Sequence, residues 1–272
     1  MSFRFDESHW ALILGGSSGF GLATAQKLAR HGMNVAVVHR DRRGAMARIQ
    51  PELDRIGDSG VGFVSFNVDA LSSERRASVL DALAARRGDS GRVRLLLHSI
   101  AFGNLKPLTR APGASDDVGL LEEEDFARTI HAMGTSLATW TQDIFARGLF
   151  ARDARVLGLT SEGNEVAWRG YAAVAAAKCA LESVSRAIAV ELGPYGVRSN
   201  VVQAGVTDTP ALRLIPGSEG MKQAALARNP LGRLTTPADV ADFICLLCTD
   251  EARWLNGALL RVDGGEHVAG QT

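Results

Sequence analysis

Trp10-Ala11-Leu12-Ile13-Leu14-Gly15-Gly16-Ser17-Ser18-Gly19-Phe20-Gly21 passes from an unbroken apolar run through a glycine-rich loop into a helical pattern. Five consecutive apolar residues read as a strand buried on both faces. Glycines at 15, 19 and 21 suit a backbone that must turn sharply and approach a pyrophosphate without a Cβ in the way. The helix that opens near Phe20 would then turn its unpaired N–H groups toward that anion. Ser17 and Ser18 lie in the same loop. A glycine loop alone says little, but strand, loop and helix in this order point to nucleotide binding.

The alternation continues outward. Apolar runs recur at 35–38, 61–66, 93–97, 155–159, 197–202 and 258–262, with amphipathic helical stretches between them. Strands separated by helices pair in parallel and are covered on both faces, so the expected fold is α/β, a doubly wound parallel sheet of about seven strands, Rossmann-like. A chain of 272 residues fits that pattern as one domain over 1–272. Two polar segments interrupt it. One, at 103–124, holds Pro107, Pro112, Gly113, Asp116 and Asp117; the other, at 207–230, holds Pro210, Pro216 and Gly217 and a short helix expected near 221–228. Ligands bind outside the carboxyl ends of strands in such sheets, which places both segments over a substrate.

Composition narrows the partners. Lys and Arg number 30 against 30 Asp and Glu, so nothing in the net charge calls for nucleic acid or an acidic membrane surface. No run approaches the ~20 apolar residues that span a bilayer, and residues 1–10 lack the apolar core of a leader. Cys179, Cys245 and Cys248 make an odd set without framework spacing, which fits a reducing compartment, and a cytoplasmic location is expected. Cys245 and Cys248 form a CxxC inside a helix-like stretch. With no second Cys/His pair to complete a metal site, they read as core packing and no metal is expected.

The second apolar run ends Val37-Val38-His39-Arg40, without an acid at the position that accepts from a ribose 2′-hydroxyl. Arg40 suits a 2′-phosphate instead, which favours NADPH and leaves NADH open.

With the glycine loop, Tyr171, Lys178 and the tail Arg261-Val262-Asp263-Gly264-Gly265, the chain resembles the short-chain dehydrogenase/reductase superfamily over nearly its whole length. Within it, the chain resembles the enoyl-acyl-carrier-protein reductases. These have Tyr and Lys seven apart, as here, where the common branch has them four apart and Ala175 stands in that place. His98-Ser99-Ile100-Ala101-Phe102 is similar to the run after their fourth strand, and Gly205-Val206-Thr207-Asp208-Thr209-Pro210-Ala211-Leu212 to an NADPH-using branch that has serine at the position of Ser161. The resemblance implies that Tyr171, Lys178 and Ser161 are catalytic. It implies that Val206, Thr207 and Thr209 hold the nicotinamide carboxamide, Asn67 and Val68 the adenine, and Ser99, Ile100 and Ala101 the ribose side. It also implies an enoyl thioester substrate, an acyl carrier protein as its carrier, and a homotetramer. Two positions depart: Ser18 stands where an NADPH enzyme often has arginine, and His131 falls near an active-site asparagine of the common branch and reads as a hydrogen-bonded helix histidine.

Spacing bears on chemistry. Four and seven residues both return to nearly one helix face, but the rise is ~6 Å in one case and ~10 Å in the other. Only the shorter step sets an ammonium beside the phenol and lowers its pKa for outright proton transfer to an alkoxide. An enoyl thioester gathers negative charge on its oxygen, which a neutral donor stabilises, so Tyr171 is expected to donate there while Lys178 holds the nicotinamide ribose. Arg213, Lys222, Arg228 and Arg233 are candidates to dock an acidic carrier, against the plainer reading of solvated surface charge. A ketone or alcohol oxidoreductase of the same fold is the alternative, and a catalytically silent NADP-binding protein the second alternative.

Overall fold

The computed structural model describes residues 3–88, 90–113, 117 and 119–270. Of the loop expected at 103–124, residues 114–116, Asp116 among them, and 118 lie outside this set.

The strands are β1 (His9–Leu14), β2 (Asn34–His39), β3 (Phe63–Asn67), β4 (Arg92–His98), β5 (Phe150–Thr160), β6 (Val197–Ala204) and β7 (Leu259–Val262). They form one sheet in the order β3-β2-β1-β4-β5-β6-β7, parallel throughout. Its helices are α1 (Gly19–Arg30), α2 (Met46–Gly57), α3 (Ser73–Arg87), α4 (Glu123–Ile130), α5 (Ser136–Ala146), α6 (Ala172–Glu191), α7 (Ser218–Arg228) and α8 (Pro237–Leu247). The Rossmann-like single domain expected from the alternation is what the chain forms.

Alternation along β1 feeds two cores. Ala11 and Ile13 pack with Ala25, Leu28, Ile49, Leu53 and Ile244 on the side of α1, α2 and α8. Trp10, Leu12 and Leu14 pack with Leu80, Leu137, Trp140, Leu181 and Ile188 on the side of α3, α5 and α6. Side chains of a strand point alternately to the two faces, so a continuous apolar run is the signature of a strand covered on both. Cys245 and Cys248 sit in the first core, where burial pushes their thiols up to about 11 and about 12. Among the described residues no group of His, Cys, Asp and Glu could hold a metal ion, and no helix is long and apolar enough to cross a membrane.

Several boundaries shift, three of them informatively. β5 starts at Phe150 rather than 155, because Phe150 pairs with Val93 across a stretch whose Arg152 and Asp153 hide the strand pattern. The helix expected near 221–228 begins at Ser218. Tyr171 is the residue before α6 rather than a member of it: its φ of −109° and ψ of 0° are not helical, while its carbonyl accepts the first helical bond from Ala175 N–H.

The strand order reverses between β1 and β4. At that switch point Gly15 N–H donates to the Val38 carbonyl and Ser99 N–H to the Leu14 carbonyl, so the loops after β1 and β4 part there and leave a crevice.

Candidate active site

The glycine loop lies at one wall of this crevice. Gly15 has φ +84°, and a Cβ on it would come within 2.5 Å of the Ser99 carbonyl oxygen; a Cβ on Gly21 would collide with the Gly15 carbonyl. These two glycines let backbone meet backbone, which is the sharp turn the loop needs. Gly19, with φ +53°, has only the Thr209 side chain within contact distance, so it alone of the three keeps its Cβ position open toward the crevice. Ser18 precedes α1 without a capping side-chain bond, and α1 has no acid in its first turn. A helix start with uncapped N–H groups beside a glycine that leaves room fits a dinucleotide pyrophosphate.

The crevice widens into a cleft of about 380 Å3 that brings most of the expected residues together: Phe20, Ser99, Ile100, Ala101, Ser161, Tyr171, Lys178, Val206, Thr207 and Thr209. Leu105, Met133, Trp168, Val174, Leu212 and Met221 give it apolar walls, contributed partly by the segments at 103–124 and 207–230. Gly15, Ser17, Ser18, Gly19 and Gly21 lie on the loop outside this lining, and so do Arg40, Asn67 and Val68 near the ends of β2 and β3.

Tyr171 and Ser161 face each other with hydroxyls 3.4 Å apart, a loose contact. Trp168 holds the phenol ring edge-on at 5.5 Å between centroids. Burial pushes the phenol above its ordinary value, and the Ser161 hydroxyl opposes this. Tyr171 is therefore a neutral donor near neutral pH.

Lys178 is buried at 6% exposure and donates to the Leu159 carbonyl at 2.7 Å. Burial lowers it to about 8, against the pull of Glu182 one turn on. Its ammonium is thus anchored at the end of β5, in the same cleft as the phenol and bound to a different group. His98, at the end of β4, is buried as well. Ser136 donates to the Ala132 carbonyl, so the His98 Nε2–H donates to Ser136 Oγ at 2.8 Å and Nδ1 is left without a protein partner. Burial, helped by Lys178, lowers this ring to about 3 and keeps it neutral. His131 opens a π-helical turn at 131–135, and its Nδ1 lies 3.4 Å from Thr135 Oγ1, a contact within the turn.

Arg40 ion-pairs with Asp69 at 3.0 Å and lies over the Phe102 ring at 4.9 Å. Asn67 bonds both ways with the Asp41 backbone, and Val68 packs against the core under α3. Asp41, one residue past Arg40, holds its carboxylate 2.9 Å from His39 Nδ1. Sequence reasoning missed Asp69, Phe102 and Glu266, since their contacts span long stretches of chain. Glu266 accepts from Val206 N–H at 3.2 Å, tying the tail to the loop expected to hold the nicotinamide. Each candidate docking cation already has a carboxylate partner: Arg213 with Asp208, Lys222 with Glu219, Arg228 with Glu162 and Glu266, and Arg233 with Asp239.

A protein-family model described as Enoyl-(Acyl carrier protein) reductase matches residues 15–267. Cis-4-hydroxycyclohexanecarboxylate dehydrogenase of Sinomonas cyclohexanicum is 28% identical over 94% of this chain and 95% of its own length. 1-cyclohexenylcarbonyl-CoA reductase of Streptomyces collinus is 30% identical over 96% of this chain and 87% of its own. Among solved structures, 3-ketoacyl-(acyl-carrier-protein) reductase from Brucella melitensis, complexed with NADH, superposes with a TM-score of 0.76 at 26% identity, covering 95% of this chain and 98% of that one.

Proposed function

The chain belongs to the short-chain dehydrogenase/reductase family, matched by the model described as Enoyl-(Acyl carrier protein) reductase, and from that membership we propose that it is an oxidoreductase reducing the carbon–carbon double bond of an enoyl thioester. A nicotinamide dinucleotide is the cofactor this membership brings, and the Brucella relative's NADH supports it. When bound, it supplies a hydride to the β-carbon of the acceptor. The glycine loop at 15–21 would hold its pyrophosphate, Ser99, Ile100 and Ala101 its ribose side, and Val206, Thr207 and Thr209 its carboxamide. Arg40 sits half-exposed where a 2′-phosphate could take over from Asp69, which supports NADPH over NADH.

Tyr171 carries the reading. Its phenol lines the cleft as a neutral donor, raised by burial, while the nearest cation of α6 is held on the Leu159 carbonyl. A neutral donor aimed at the thioester oxygen stabilises the negative charge that collects there without giving up its proton. Lys178, protonated near neutral pH, has two further N–H donors beyond the one on Leu159 for the ribose hydroxyls. Ser161 adds a polar contact beside the phenol, and the apolar walls exclude water from the reacting carbon. The name of the Streptomyces relative supports an enoyl thioester, and the family description supports an acyl carrier protein as its carrier.

A ketone or alcohol oxidoreductase is the second reading, favoured by the names of the Sinomonas and Brucella relatives. Crotonyl and acetoacetyl thioesters assayed separately with NADPH divide the two. The proposal expects turnover of crotonyl alone, and turnover of acetoacetyl alone refutes it.

A further inference from the structure

Three parts of the chain that lie far apart in sequence meet at one wall of the cleft. Glu162 follows Ser161 at the end of β5, Arg228 closes α7, and Glu266 stands in the tail after β7. Arg228 Nη2 donates to Glu162 Oε2 at 2.8 Å and to Glu266 Oε1 at 3.0 Å, and the other oxygen of Glu266 accepts from Val206 N–H at 3.2 Å. One carboxylate therefore bridges α7 and the loop after β6. Its approach to that loop is close: a Cβ on Gly205, the residue before Val206, would come within 2.8 Å of the same oxygen. Glu162, Glu266 and Val206 all line the cleft.

α7 is weakly packed. It lends Met221 to the cleft wall, but of its eleven residues only Ser218 and Ala225 are buried, so apolar contact does little to fix its position. A second tie to the loop, Lys222 to Asp208, is longer at 3.6 Å and ends on a carboxylate already held by Arg213, so it adds little. The tail, by contrast, keeps its shape without the Glu266 side chain. The Asp263 carbonyl accepts from Asn229 Nδ2 at 2.8 Å, and the Asp263 carboxylate accepts from the N–H groups of Gly265 and His267. At 2% exposure Glu266 is a carboxylate taken out of water, which costs free energy, and its bonds reach two elements that each line the cleft.

We infer, on the reading that residues 206–209 hold the nicotinamide, that Glu266 is a positioning residue: it sets the cofactor loop and the covering helix α7 against each other, so that cofactor held at the loop also steadies the cover over the acceptor. Arg228, read from sequence as a candidate for carrier docking, serves inside the molecule as the second half of this link.

Hydrogen exchange read by mass spectrometry tests the link without turnover. In the parent, saturating NADPH with no acceptor present is expected to slow the amides of 206–209 and those of α7 alike, each about tenfold. Glu266→Gln offers one acceptor to two donors, and because the two bonds act in series, loss of either breaks the link. The α7 exchange ratio, with against without NADPH, then falls to near one. The thermal midpoint shifts by less than about 2 °C, because the Glu162–Arg228 pair and Asp263 still hold the fold. Arg228→Gln leaves the Val206 bond in place and serves should the Glu266 variant fail to fold. It is expected to lose α7 protection, keep that of 206–209, and hold the NADPH dissociation constant within about twofold of the parent by titration calorimetry. An α7 ratio in either variant like that of the parent, or a parent whose α7 NADPH leaves unprotected, overturns the inference, since a merely structural Glu266 would lower the midpoint and leave that ratio alone. Parent amides at 206–209 untouched by NADPH would refute the reading of that loop, and the inference with it. Failure of enoyl reduction would appear in the crotonyl assay and leave these ratios unaffected.

Discussion

Arg94 and Arg198 near the amino ends of β4 and β6, with Arg155 beside them in β5, converge on the one carboxylate of Asp153; at the carboxyl ends of these strands stand His98, Ser161 and Gln203, with Lys178 held on β5. In the first group every guanidinium nitrogen of Arg94 and Arg155 is engaged. Arg94 also donates to the Cys248 carbonyl and Asp250, and Arg155, 1% exposed, to the carbonyls of Leu247 and Thr249. Burial pushes Asp153 up, but the guanidinium groups of Arg155, Arg94 and Arg198 outweigh it and hold the carboxyl below its usual range. The second group is left short. His98 Nδ1 and Gln203 Oε1 are buried without protein partners, and Lys178 bonds one carbonyl. Buried polar groups cost free energy unless paired, so the paired arginines around Asp153 serve the fold, whereas the unmet capacity of His98, Gln203 and Lys178 at the other end is available to a ligand.

The sharpest way to break this contrast is to remove one group from each end. Tyr171→Phe is expected to lower kcat about 1000-fold while shifting the thermal midpoint by less than about 2 °C, because only a transition-state donor is lost. A comparable loss of stability would make the phenol a packing group. Asp153→Ala reverses the pattern: about 3 kcal/mol of stability lost in urea unfolding, since three guanidinium groups lose their shared partner, with kcat/KM of the folded protein within about twofold. Impaired turnover at full stability would show that the two ends are not separate.

Lys178→Ala sharpens the reading of the carboxyl end. It is expected to raise the cofactor KM about 30-fold with a smaller change in kcat, which steady-state kinetics separates. Arg40→Ala, at a half-exposed site, is expected to raise the KM for NADPH about fivefold and leave that for NADH alone. Equal effects on both cofactors would remove its proposed role. The smallest effect is one of pH. Burial lowers the Lys178 ammonium to about 8, so it is charged at pH 7 and loses its proton as pH rises through that value. The cofactor KM should therefore be flat below about pH 7 and rise several-fold by about pH 9, a rise that Lys178→Ala abolishes.

Much of this was legible in the chain. The apolar run before Gly15 and its repeats yield seven parallel strands, because periodicity and glycine position are local signals. The seven-residue interval from Tyr171 to Lys178 likewise places both in one cleft, although Tyr171 proves to precede its helix. What stayed hidden depends on distant partners. Arg40 lies on Asp69 and Phe102, and Arg228 joins Glu162 to Glu266 across 66 and 38 residues. The close approaches inside the glycine loop were hidden as well, since only the fold sets Gly15 against Ser99 and Gly21 against Gly15.

The central claim is that the Tyr171 hydroxyl meets an enolate oxygen rather than an alkoxide. Equimolar crotonyl and acetoacetyl thioesters, offered together with NADPH deuterated at the transferring position, test it most directly. The account predicts deuterium at the β-carbon of a butyryl product. Deuterium on the carbinol carbon of a 3-hydroxybutyryl product, with crotonyl thioester recovered unchanged, would contradict it.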